Sequence, residues 1–301
     1  MDGLLLVDKP AGPTSHDVVA RVRRLAGIRK VGHAGTLDPM ATGVLVLGLG
    51  RATRLLGHLA LTDKAYDATI GLGIATSTDD AEGEVLDTAP PDVLAALTDT
   101  AIKDQVAALT GDIAQMPATV SAVKVDGRRA YARARAGEDV VLAARPVTVS
   151  RFEITAVRRE LGSDADPAAV PVTELDVKVE CSTGTYVRAL ARDLGVALGV
   201  GGHLTALRRT RVGPYTLAEA RTLPELEDNL VVLPLAEAAA RAFICRTLSA
   251  AEAGRLGHGV ALDALGQGPG PVAAYDAAGE LIALVQERDG LARPLVVFAP
   301  A

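Results

Sequence analysis

The chain is poor in cysteine and aromatic residues: 301 residues hold two cysteines, five tyrosines, three phenylalanines and no tryptophan. Cys181 and Cys245 form no CxxC pair, so neither a disulfide framework nor a structural zinc site can be built from them, and both are expected as small core residues. No apolar run approaches the roughly 18 residues of a membrane span. No basic stretch precedes the first apolar run at residues 4–7, as it would in a secretory leader. A cytoplasmic protein is expected. Positive charge is not in excess either, with 31 Lys and Arg against 37 Asp and Glu, a net charge of -6. Taken as a total, that speaks against a nucleic-acid partner, whose usual footprint is basic. What is there, 49% hydrophobic and 23% charged residues, is the composition of a folded globular protein and excludes disorder, collagen and coiled coil. The length suits one large domain or two unequal ones.

Several catalytic signatures are missing as well. There is no GxxxxGK followed by Ser or Thr, no GxGxxG at the first strand-to-helix turn, and no GxSxG. The five histidines, at 16, 33, 58, 203 and 258, form no HExxH or similar metal spacing. Nucleotide-cradling loops, serine-triad hydrolysis and zinc-protease chemistry lose their support together.

Charge by segment says more than the total. Residues 1–62, 119–160 and 181–221 each carry a net +4, whereas 63–118 carries -9, 161–180 carries -4 and 222–301 carries -5. Three basic islands therefore alternate with acidic blocks. Only six of the basic residues are lysines; arginine is favoured where planar, bidentate contact with phosphate or carboxylate is needed, and also by high-GC codon usage.

Local patterns place the elements. Residues 3–7 read as a strand, and Thr14-Ser15 offers an N-cap to a helix with Val18, Val19, Val22 and Leu25 on one face, ended by Gly27. Val44-Leu45-Val46-Leu47, bounded by Gly43 and Gly48, suits a strand buried on both faces. A helix over 52–59 and a strand over 65–70 follow. Pro90-Pro91-Asp92 opens a helix carrying Val93, Leu97, Ile102, Val106 and Leu109, stopped by Gly111. Leu175, Val177, Val179 and Cys181 alternate with polar residues as in a half-exposed strand. That strand feeds a helix with an apolar stripe at Val187, Leu190, Ala191, Leu194 and Leu198, which leaves Arg188 and Arg192 together one turn apart. Without a regular βαβ repeat, the fold class is mixed α+β with a largely antiparallel central sheet flanked by helices. Residues 223–235 read as a connection, and the Gly-rich tail, with strand-like pieces at 272–275 and 295–298, as a small β-rich domain. The expected domains are 1–237 and 238–301.

Four patches could carry chemistry. In Gly32-His33-Ala34-Gly35-Thr36-Leu37-Asp38-Pro39-Met40-Ala41-Thr42-Gly43, glycines and proline make a loop with special backbone angles that displays Asp38 and His33, and Pro39 restricts Asp38 to an extended conformation. The bland alternative is an Asp capping a turn. Asp79, Asp80, Glu82 and Glu84 could ligate a divalent cation but lack the DxDxDG spacing, so a solvated hairpin loop is the better reading. Cys181-Ser182-Thr183-Gly184-Thr185-Tyr186-Val187-Arg188 places an arginine at a helix N-terminus, where the dipole disfavours it, so Arg188 is either a surface residue or bound to an anion. Leu207-Arg208-Arg209-Thr210-Arg211 is a phosphate-contacting strand or an exposed edge.

Together these patches resemble the TruB family of tRNA pseudouridine synthases. The order and spacing are those of Lys9-Pro10-Ala11-Gly12-Pro13-Thr14-Ser15, the 32–43 loop, Lys64-Ala65-Tyr66, Ser121-Ala122-Val123-Lys124 with Gly127-Arg128-Arg129-Ala130-Tyr131, 181–188, and Leu207-Arg208-Arg209. The resemblance covers about residues 2–235; the tail looks like the family's small PUA-type RNA-binding domain. It departs at Pro117-Ala118, where many relatives have two prolines, and in Ile70-Gly71-Leu72-Gly73, which has a glycine where a larger side chain is common. It implies the pseudouridine synthase fold and isomerisation of the T-loop uridine, position 55, of tRNA. It makes Asp38 the catalytic carboxylate, Tyr66 the aromatic stacked on the extruded uracil, and Arg188 the partner that keeps Asp38 ionised. Leu207 would line the pocket and His33 flank the distorted RNA loop. Gly35 and Thr36 would lie in the substrate-binding loop, and Lys9 and Lys64 would position that loop and the RNA backbone. No cofactor, metal or membrane is implied, and a monomer is expected. The competing reading is a noncatalytic tRNA-binding or RNA-folding protein on the same scaffold; a metal-dependent enzyme using the 79–84 carboxylates ranks third.

Overall fold

The computed structural model describes residues 1–118, 143–160 and 172–298, and the backbone of two short strands, Lys124–Val125 and Arg128–Arg129. The rest of the Ser121 to Tyr131 motif lies outside the described residues. The chain forms two compact units, one of residues 1–62 with 211–301 and one of residues 63–210.

In the first unit, β1 (Gly3–Lys9) leads into α1 (Ser15–Ala26), capped by Thr14 and closed by Gly27 at φ +66°, as the sequence leads one to expect. Strand β2 (Val31–His33) and the long β3 (Thr42–Leu49) follow; β3 pairs antiparallel with both β1 and β2. It runs through Gly43 and Gly48 instead of stopping at them. At Gly48 a Cβ would sit 2.9 Å from the Ala52 carbonyl oxygen, so only glycine lets the strand pass the next turn so closely. That turn is a 3-10 segment, Gly50–Arg54, before the single-turn α2 (Leu56–Leu59), where one helix over 52–59 is expected.

The second unit begins with β4 (Lys64–Leu72), a hairpin of β5 (Ile74–Thr76) and β6 (Val85–Thr88), α3 (Pro91–Ala95) and α4 (Asp99–Ala108). The single helix expected after Pro90 is two, because Thr98 leaves the helical conformation and its hydroxyl caps α4, accepting from Ala101 N at 3.1 Å. Strand β7 (Gly111–Gln115), the short β8 (Lys124–Val125) and β9 (Arg128–Arg129), β10 (Arg145–Glu160), β11 (Val172–Cys181), α5 (Val187–Ala197) and β12 (Gly202–Val212) complete it. The sheet order here is β12-β4-β11-β10-β7, and β4, β11, β10 and β7 pair antiparallel in turn. On β11 the expected alternation is present: Leu175, Val177, Val179 and Cys181 are buried.

The last two residues of β12 return to the first unit and pair with β13 (Tyr215–Thr216). The segment 223–235, expected as a connection, holds α6 (Leu223–Asp228), whose Thr222–Glu225 capping box starts a helix, and β14 (Leu233–Pro234), which pairs with Gly3 and Leu4. Then come α7 (Leu235–Ala242), β15 (Ile244–Thr247), α8 (Ala250–Gly257), β16 (Leu262–Asp263), β17 (Pro271–Tyr275), β18 (Leu281–Arg288) and β19 (Leu291–Val297). The five tail strands form one sheet, β15-β17-β18-β19-β16, the β-rich tail that the glycines suggest. Cys181 is buried as expected, but Cys245 is exposed, because β15 is an edge strand that turns only Arg246 inward.

The tail sheet has two apolar faces. Leu256, Ile282, Val285 and Val272 make a local core with α8, while Ala273, Leu284 and Phe298 join Leu4, Leu6, Val44 and Val46 in the core of the first unit.

Candidate active site

The Asp38 loop, residues 34–41, belongs to the first unit and is clamped on both sides of Asp38. On one side the buried Ser15 hydroxyl accepts from Leu37 N at 2.8 Å and donates to Leu37 O at 3.0 Å. On the other, Pro39 O accepts from Gly12 N at 2.9 Å and from Lys9 Nζ at 3.2 Å. Lys9 is fully buried, and its ammonium also donates to Pro10 O and Pro13 O, both at 2.8 Å. Three carbonyl dipoles thus solvate one charge, which is the condition for keeping an ammonium out of water. The 9–15 motif is therefore a cradle for the loop: Lys9 faces carbonyls, Gly12 adopts φ +103°, and Ser15 opens α1. Ala34, Leu37 and Ala41 are buried under the loop, Asp38 and Gly35 are half-buried, and Thr36 is exposed. His33, at the end of β2, meets His16 edge-on at 5.3 Å.

The second unit holds Lys64, Tyr66, Arg188 and Leu207. Lys64 and Tyr66 lie two apart on β4, opposite Cys181 and Val179 of β11, so they share one face of the sheet. Lys64, Tyr66 and Leu207 are all buried. Burial, reinforced by the Arg209 guanidinium, pushes the Lys64 ammonium down to about 8.

Arg188 is buried at the start of α5 and is no surface residue. Its Nη1 lies 3.3 Å from Asp80 Oδ2 and donates to Thr78 O at 2.9 Å. Asp80 in turn accepts from the Thr78 hydroxyl at 2.5 Å and from Glu82 N at 3.1 Å. One turn along α5, Arg192 bridges Asp79 Oδ2 at 3.1 Å and Met116 O at 2.7 Å. Asp79 sits at φ +60°, and burial raises its carboxyl pKa although Arg192 and Arg188 oppose the shift.

The acidic stretch is thus only partly the solvated hairpin expected from sequence. Glu82 and Glu84 are exposed, while Asp79 and Asp80 turn inward onto the two arginines. These two aspartates are site-forming residues that sequence reasoning assigned to solvent. The signal for them was the arginine pair on an otherwise apolar helix, which calls for two carboxylates. Among the described residues no group of three or more His, Cys, Asp or Glu side chains is placed to hold a metal ion.

The loop clamp fixes the position of Asp38 through its neighbours Leu37 and Pro39. Tyr66 adds a buried aromatic ring on β4 and Arg188 a buried guanidinium paired with Asp80. Residues 23–187, which contain the Asp38 loop, Tyr66 and Asp80, match the TruB family pseudouridylate synthase (N terminal domain). The chain belongs to the TruB family. Residues 188–250 match the tRNA pseudouridylate synthase B C-terminal domain, and residues 243–299 match tRNA Pseudouridine synthase II, C terminal. The chain is 59% identical over 298 residues to the tRNA pseudouridine synthase B of Thermobifida fusca (strain YX), covering 99% of each. It is 61% identical over 301 residues to that of Nocardia farcinica (strain IFM 10152), covering 100% of this chain and 94% of the relative. As a TruB-family member it is an enzyme, a pseudouridine synthase and hence an isomerase. Its fold is that of a chain in the crystal structure of a Cbf5-Nop10-Gar1 complex, with a TM-score of 0.71 and 26% identity over 99% of this chain and 85% of that one. A chain in an H/ACA RNP bound to a substrate RNA containing 2'-deoxyuridine shares the fold at the same TM-score of 0.71, with 24% identity over 99% of this chain and 85% of that one. The expected family and the mixed α+β class both hold. No helix among the described residues is long and apolar enough to cross a membrane.

Proposed function

We propose that this chain isomerises the T-loop uridine of tRNA, position 55, to pseudouridine, with Asp38 as the essential carboxylate. The observation that carries the reading is the two-sided clamp on Leu37 and Pro39, which holds the backbone on either side of one acidic residue in a loop of the family's motif. The full-length relatives named tRNA pseudouridine synthase B support tRNA as the substrate.

The reaction breaks the N1–C1′ bond, turns the uracil and joins C5 to C1′, with no net redox change and no added atom, so protein side chains suffice. The uridine leaves its stack at a cost of a few kcal/mol, and stacking on Tyr66 returns about 1–3 kcal/mol. Asp38 then acts as a nucleophile toward C1′ or C6, or as a base toward the 2′ proton. Arg188 partners the Asp38 carboxylate, favouring the ionised form by opposite charge. Leu207 lines the pocket, His33 flanks the opened RNA loop, and Gly35 and Thr36 border it. Residues 1–237 serve as the catalytic domain and 238–301 as a PUA-like RNA-binding domain, in a monomeric cytoplasmic enzyme.

Tritium release from tRNA labelled at uracil C5 tests this. Release with the wild type and none with Asp38→Asn is expected. Full release by Asp38→Asn would remove Asp38 from the chemistry. Tight tRNA binding by the wild type without any release would identify a noncatalytic tRNA-binding protein instead.

A further inference from the structure

In the first basic island a stretch without a carboxylate runs from Val18 to Leu37 and contains Arg21, Arg23, Arg24, Arg29 and Lys30. The fold gathers four of these cations at the C-terminal end of α1. Arg23, Arg24, Gly27, Ile28 and Arg29 line a surface depression of about 470 Å³, and Lys30 follows directly. All four side chains are exposed.

Among the described residues no carboxylate compensates their charges. Arg21, one turn earlier, is paired with Glu227 at 2.7 Å. Arg51, Arg151, Arg158, Arg159, Arg188 and Arg192 each meet a carboxylate too. Among the described residues none of Arg23, Arg24, Arg29 and Lys30 does; Arg23 donates only to the Val31 carbonyl, at 2.8 Å. The helix C-terminus explains a preference for Arg23 and Arg24, since its carbonyls favour cations. It does not account for Arg29 and Lys30, which lie beyond the Gly27 cap. Three like charges around one concavity, with Lys30 next to them in the chain, repel each other, and a polyanion relieves that repulsion.

Position supplies the partner. Lys30 is followed immediately by the three-residue β2, which ends at His33 on the threshold of the Asp38 loop. At about 3.3 Å per residue the strand carries the chain roughly 10 Å from the cations to that loop. We propose that this depression is a phosphate-backbone site for the substrate RNA, separate from the groups that act on the uridine, in which Arg24 and Arg29 each neutralise a phosphate. The proposal rests on the tRNA reading above and adds to it an anchoring point on α1.

Equilibrium binding of an unmodified tRNA transcript to the full-length protein, measured across a salt series, tests it. Arg24→Gln/Arg29→Gln removes the charge without reversing it, and Lys103→Gln, an exposed cation on α4, is the control for overall charge. The double variant is expected to bind about tenfold more weakly near 0.1 M salt, and its log-log salt slope to be shallower by about 1.4–1.8, since each lost phosphate contact removes about 0.7–0.9. The control should change neither quantity. An unchanged slope in the double variant would overturn the proposal, as would an equal change in the control. Tritium release by the wild type in parallel separates this failure from failure of the functional reading. A thermal melt of the double variant that overlays the wild type assigns any lost affinity to the charges and not to the helix; should the melt shift, Arg29→Gln alone, outside the helix, must still flatten the slope.

Discussion

A charged side chain inside a protein is tolerated only when dipoles or counter-charges replace water, and the lysines of the site show two outcomes. Lys9 is surrounded by carbonyls of Pro10, Pro13 and Pro39 and serves the loop that bears Asp38. Lys64 is buried beside Arg209, and its pKa falls to about 8 from 10.5. In the unfolded chain the ammonium binds its proton up to its ordinary pKa, so between about pH 8 and 10.5 the unfolded state holds more protons than the folded one. The contribution of Lys64 to stability therefore rises with pH through that window, by at most about 3 kcal/mol. Urea midpoints from pH 7 to 10 should show this rise for the wild type, and Lys64→Met should lose it. The burial of Lys9 and Lys64 was not legible in the sequence, because the carbonyls of Pro39 and the guanidinium of Arg209 reach them only through the fold. The dense glycine, proline and hydroxyl pattern around Asp38, by contrast, announced its loop directly.

At the scale of elements, helix α5 and the loop after β5 are joined by two ion pairs, Arg188 with Asp80 and Arg192 with Asp79. The Arg188–Asp80 pair is buried on both sides, and breaking a buried pair from one side leaves a charge without its partner. Asp80→Ala should accordingly cost about 3–5 kcal/mol in chemical unfolding, much more than Glu84→Ala on the exposed part of the same loop. Equal losses would mean that the pair adds nothing. The apolar stripe of α5 was readable from its period, and so was the need of Arg188 for an anion. That Asp80 is one of its carboxylates was not, since Asp80 lies more than 100 residues away in the chain. The break between α3 and α4 shows a smaller limit of the same kind: the apolar spacing continues across Thr98, and only the capping hydroxyl reveals that the helix restarts there.

For the whole molecule, the first question is whether the tail stands apart. Ala273, Leu284 and Phe298 complete a core with Leu4, Leu6, Val44 and Val46, and Arg51 and Arg54 donate to the carbonyls of Phe298 and Val297. Deleting residues 238–301 should therefore expose this core and yield aggregated protein, checked by the soluble fraction and light scattering. A soluble, monomeric truncation with an unchanged melting temperature would contradict that. The second question is the net charge of -6, which as a sum disfavours an RNA partner. The three +4 islands contain Lys9 and Arg188 of the proposed site, while the 63–118 block, which holds Lys64, carries -9. Affinity for tRNA should fall steeply with added salt; a flat response between low and moderate salt in a filter-binding assay would restore the plain meaning of the sum. The sequence by itself determined the local features, which depend on neighbours a few residues apart: the caps of α1, the alternation of β11, the Asp38 loop, the β-rich tail and the family. Tertiary structure alone decided which distant groups meet. It buried Lys9 on Pro39, turned Asp79 and Asp80 away from solvent and merged the tail with the first strand, because removing charge and apolar surface from water is settled by the packed chain as a whole.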